Sequence, residues 1–150
     1  MDITAQLQKK ADRCLRQREA RCREAREAFE EACARADVHG AGLNKTGIMP
    51  KGGVHDPTPE AAMELEKTRR RYAYWQGWQR IAEDIQRSLG FSFTAIVFLS
   101  VYTDGMKDAD VARQNGRSRQ AVRRERDRIC TVAVLMAVQR GLIRIESKTQ

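Results

Sequence analysis

Three prolines and two histidines are all that 150 residues contain. The prolines stand at positions 50, 57 and 59, so long helices are open to the chain on either side of them. The two imidazoles, His39 and His55, both fall in a glycine-rich stretch. No Ser/His/Asp or paired-carboxylate constellation accompanies them, so no catalytic residue is assigned and an enzyme is not expected. Cys14, Cys22, Cys33 and Cys130 show no CxxC spacing and read as free, semi-buried thiols of a reducing cytosol. Cys33, His39 and His55 match no zinc pattern, so neither a metal nor a cofactor is expected. Long apolar runs are also missing. The two longest, 95–99 and 132–138, are far too short to span a bilayer, and residues 1–30 lack the apolar segment of a signal peptide. The expectation is a soluble, cytoplasmic protein with no membrane partner.

What the chain has is helix-forming residues and positive charge. Ala, Glu, Arg and Gln abound, and the net charge is +8. Charge of that sign suits an acidic partner, nucleic acid first of all. It is not an unstructured basic tail. It is mixed along two long helical patterns and concentrated between Arg113 and Arg128.

Residues 2–37 read as one helix. Leu7, Ala11, Cys14, Cys22, Ala25, Phe29, Ala32 and Ala36 recur at steps of three and four, and Arg18 interrupts the stripe. The stripe is narrow and rich in small residues, which suits one close partner helix in a coiled-coil-like arrangement. Glycines and prolines then predict a flexible loop over 38–57. Its Lys45 and Lys51 could touch phosphates, but its glycine spacing matches no nucleotide-binding loop. Asp56 or Thr58 caps a second helix running to about residue 88, with Ala61, Leu65, Thr68, Tyr72, Trp75, Ala82, Ile85 and Leu89 near a heptad stripe that Met63, Trp78 and Ile81 widen. Tyr72, Tyr74, Trp75 and Trp78 beside the basic 67–71 run resemble a single-strand stacking patch, but core packing is the preferred role. Two such helices pack most simply as an antiparallel hairpin.

Residues 91–103 are rich in strand formers, but no second strand exists to pair with them, so a buried helix is expected. The stretch 106–128 reads as two helices and a tight turn. Val111 and Ala112 point inward, Gly116 suits a left-handed helix end, Ser118 caps the next helix, and Val122 returns to the core. This is the pattern of a helix-turn-helix. Its second helix is loaded with arginine, whose planar donor fork suits phosphates and guanine edges. Arg119, Gln120 and Arg123 are placed to read bases, and Lys107, Arg113, Arg117, Arg124 and Arg126 to hold phosphates. The apolar second half, 129–138, must be covered on most sides, in part by a second protomer if the chain is a homodimer. Leu142, Ile143 and Ile145 are expected to fold back on the same cluster. The expected fold is therefore all-α: a long helical hairpin over 1–89 followed by a helix-turn-helix domain over 90–150.

The segment from Gly105 to Arg128, with Val111, Ala112, Gly116, Ser118 and Val122 at the expected offsets, resembles region 4 of sigma-70-type factors. Over residues 47–140 the arrangement resembles phage transcriptional regulators of the RinA and ArpU kind. That resemblance implies a phage or prophage protein that binds double-stranded promoter DNA and controls late genes. It departs from the pattern where Asn115 and Arg117 flank Gly116 and where Lys107 stands at a usual capping position. Two other readings were weighed. One is a docking module for host RNA polymerase or another protein, and the other is a small terminase-like packaging subunit.

Overall fold

The structure, a computed structural model, describes residues 2–40 and 58–146, and of residues 37–40 it describes the backbone alone. The described chain is all-α. Helix α1 spans Ile3–Gly40 and α2 Pro59–Leu89. A short α3, Phe93–Phe98, runs into a turn of π-helix, Leu99–Thr103. Helices α4, Asp108–Asn115, and α5, Arg119–Gln139, complete it. There is no strand among the described residues, as the lack of a pairing partner for 91–103 predicted.

Helix α1 continues through Gly40, so 38–40 are helical rather than loop. One glycine costs a helix about 1 kcal/mol against alanine, which a terminal turn tolerates. The rest of the expected loop, 41–57 with Lys45 and Lys51, lies outside the described residues. Helix α2 starts as its sequence implies. Thr58 caps it, its hydroxyl accepting from the Ala61 N–H at 3.2 Å, and Pro59 takes the first helical position, where no N–H is needed.

The chain divides into two compact units, and not at residue 90: Met1–Glu19 with Gln76–Gln150 form one, and Ala20–Trp75 the other. In the second unit Phe29 of α1 meets Tyr72 of α2 edge-on, with ring centroids 5.9 Å apart. Ala25, Ala32 and Thr68 are buried there. Its outer face carries local ion pairs. Glu66 accepts from both Arg69 and Arg70, which hold its carboxyl down at about 2. Met63, expected to widen the buried stripe, is exposed.

The first unit holds the larger core. Leu15, Trp78, Ile81, Ile85, Val97, Phe98, Val101, Val111, Val122 and Ile129 are all closed off from solvent. Trp78 and Ile81 are thus at the centre of the α2 stripe rather than its margin. Leu142 closes over Gly77, where an added Cβ would stand 2.8 Å from its methyl, and Ile143 is buried, whereas Ile145 is exposed. The apolar half of α5 is covered on one side only. Ala133 and Ala137 are buried, but Val132 and Leu135 face outward.

Arg18 does not break the α1 stripe; it belongs to it. Ala11, Arg18, Ala25 and Ala32 fall seven residues apart, and all four are buried. The Arg18 guanidinium donates to the carbonyls of Leu15 and Tyr102 and lies 5.6 Å from the Phe98 ring centroid. Burial lowers its pKa, while the charges of Glu19 and Glu83 act the other way.

Candidate nucleic-acid interface

Helix α4 begins without a side-chain cap. Lys107 holds the N-cap position in extended backbone and makes no capping hydrogen bond. Asp108 and Asp110 compensate by placing negative charge in the positive first turn. Val111 and Ala112 turn inward and are buried. The helix ends where a residue takes φ of +61°, and Gly116 takes it. A side chain there would be strained by its own backbone, although the space around it is open. The Arg117 N–H returns to the Ala112 carbonyl at 2.9 Å, and the Asn115 amide donates to the Val111 carbonyl at 2.8 Å, closing the turn. Ser118 then caps α5, its hydroxyl accepting from the Ala121 N–H at 3.1 Å. Val122 is buried one turn on. Val111, Ala112 and Val122 are thus buried, Gly116 makes the turn and Ser118 the cap.

The arginines separate into two groups. Arg119, Gln120, Arg123 and Arg124 are exposed, and their side chains make no hydrogen bond or ion pair among the described residues. At 3.6 residues per turn they occupy an arc of about 140° on the first turns of α5. The others are engaged. Arg126 pairs with Asp108 of α4 at 3.2 Å, both side chains being mostly buried, so it ties the two helices together. That pair engages Arg126 within the protein, unlike Arg119, Arg123 and Arg124. Arg117 lies over the Phe93 ring at 4.8 Å, a cation–π contact that holds it against α3 while leaving it exposed. Arg113 stands 3.7 Å from Asp110 in an exposed pair, worth little in water, so it and Lys107 stay accessible to an outside anion. Glu125 accepts from the Thr94 hydroxyl at 2.6 Å and from Arg128 at 3.2 Å, which fixes α5 to α3.

A polar cluster lies behind this surface. The Tyr102 hydroxyl donates to Asp12 at 2.7 Å and sits 3.2 Å from the Cys130 sulfur. Burial, with the Asp12 charge, pushes the Cys130 thiol up to about 11, the hydrogen bond to Tyr102 acting the other way. Burial raises Tyr102 as well, helped by the same neighbours. A thiol so far from ionisation is a structural group, not a nucleophile. No disulfide joins any of the four cysteines.

Sequence reasoning missed the flank. Lys9, Arg13 and Arg16 of α1 line a groove with Arg123 of α5. Nothing local in the sequence announces it, since Arg16 and Arg123 lie more than a hundred residues apart. A signal was present only in the shared spacing of 9, 13 and 16 on one helical face. Among the described residues no helix is long and apolar enough to cross a membrane, and no cluster of metal-binding side chains occurs.

No family model, curated protein or solved structure matches this chain. The likeness to sigma region 4 therefore rests on the motif residues themselves.

Proposed function

We propose that the chain is a sequence-specific DNA-binding transcription regulator that lays the start of α5 in the major groove. The observation that carries this is the unengaged state of Arg119, Gln120, Arg123 and Arg124, four exposed hydrogen-bonding side chains on the first turns of a capped helix that follows a left-handed glycine turn. Every other polar group of α5 named above has a partner inside the protein. Arg119, Gln120 and Arg123 read base edges, and Lys107, Arg113, Arg117 and Arg124 hold the flanking phosphates. On this reading the protein binds rather than catalyses. Control of phage or prophage late genes is the role that the resemblance to RinA- and ArpU-type regulators supplies.

The test is selection of bound duplexes from a random pool, followed by salt titration of the selected and unselected DNA. A recovered consensus, bound more tightly than random duplex and with steep salt dependence, is the expected result. Failure to enrich any sequence would overturn the base-reading assignment.

A further inference from the structure

We propose that Lys9, Arg13 and Arg16 of α1 form a second phosphate-holding strip, which grips the backbone of the same duplex beside the groove that α5 enters. This rests on the DNA-binding reading and extends it to an element with no place in a helix-turn-helix.

The three cations fall on one face of α1, at steps of four and three residues, and that face opposes Arg123 across a groove of about 490 Å³. A water's share of liquid is about 30 Å³, so the groove admits a phosphodiester segment. Five cations line it against two carboxylates, Asp12 and Asp127. Asp12 is already engaged by the Tyr102 hydroxyl and by Arg16 at 2.9 Å, so it orients Arg16 and leaves Lys9 and Arg13 without a counter-charge. Lys9 and Arg13 are exposed and have no ion pair among the described residues. From position 9 to position 16 the helix rises about 10 Å. One DNA strand presents a charge about every 3.4 Å along its axis, so the strip matches roughly three phosphates. The strip is also fixed relative to α5, because Gln8 donates to the Thr131 hydroxyl at 2.9 Å. A strip held in place before the encounter loses little freedom on binding. Its place on the same groove as Arg123, with a span that matches the phosphate spacing, favours a nucleic-acid strand over an acidic peptide.

The experiment titrates salt against a labelled random-sequence duplex, using wild type, the double variant Lys9→Gln with Arg13→Gln, and Lys10→Gln. Lys10 is exposed and adjacent in sequence but off the groove. The double variant should bind selected and random duplexes more weakly by the same factor. Its slope of log affinity against log salt should be shallower by nearly two, about 0.9 for each lost phosphate contact. Lys10→Gln should keep the wild-type slope. The charge-keeping pair Lys9→Arg with Arg13→Lys should also keep it, which separates lost contact from lost folding. A double variant with the wild-type slope, or a Lys10→Gln variant that loses as much, overturns the strip and leaves the α5 reading standing. A wild-type protein that binds no duplex overturns both.

Discussion

Arg18 donates a 2.7 Å hydrogen bond to the main-chain carbonyl of Tyr102, 84 residues further along the chain. The carbonyl belongs to the π-helical turn, where main-chain groups leave the α pattern and need other partners. The guanidinium supplies one and spreads its flat face near Phe98. Arg18→Ala would leave the Tyr102 carbonyl unpaired and a void beside Phe98. Chemical denaturation should show a loss of about 2–4 kcal/mol. A loss below half of that would mean the turn stands without Arg18.

Gly116→Ala tests the turn between α4 and α5. The added methyl meets nothing within 4 Å, so the only penalty is the left-handed backbone. The expected destabilisation is about 1–2 kcal/mol. A neutral substitution would show that the turn can relax out of φ +61°.

Arg126 and Arg123 stand one turn apart on α5 and should fail differently. Arg126→Met leaves the Asp108 carboxylate without its cation, and the other Asp108 oxygen is buried with no partner among the described residues. Stability should fall by about 1–3 kcal/mol with the salt slope of DNA binding unchanged. Arg123→Ala removes an exposed side chain, so stability should hold within about 0.5 kcal/mol. Affinity for the selected duplex should drop by about 1–3 kcal/mol. Thermal melts and binding isotherms on both variants decide it, and a shallower slope for Arg126→Met would return that residue to the phosphate set.

The Tyr102–Cys130 pair predicts alkaline sensitivity. Both groups hold their protons more tightly folded than unfolded, so stability is complete below the unfolded pKa values and is lost as pH rises towards the folded ones. For Cys130 the window runs from about 8.5, the free-thiol value, towards 11. Denaturant midpoints should fall across it, and Cys130→Ala should flatten the decline. An equal decline in the variant would assign the effect elsewhere.

What could be read from the sequence was local. Gly116 and Ser118 each act within one turn of helix, Gly116 ending α4 and Ser118 capping α5. Thr58 and Pro59 did the same for α2. Charge alone misled at Arg18, because a buried arginine is recognised only once the carbonyls that receive it are known. The Arg126–Asp108 pair was hidden for the same reason, the carboxylate lying in the preceding helix. Strand-forming residues at 91–103 settled into helix because packing outweighed propensity. The Lys9–Arg13–Arg16 face was hidden because its meaning depends on α5 lying beside it.

The Asp12–Tyr102–Cys130 cluster also bears on how the protein is made. Asp12 and Cys130 are 118 residues apart. Translation at about 5–20 residues per second separates their emergence from the ribosome by on the order of ten seconds. Through that interval Gln8 and Asp12 of α1 lack their partners Thr131 and Cys130, since α5 does not yet exist. The α4–α5 turn is thus no detachable cassette. A nascent chain halted before α5 should be open to protease and to chaperones along α1, and should close only when the last helix arrives.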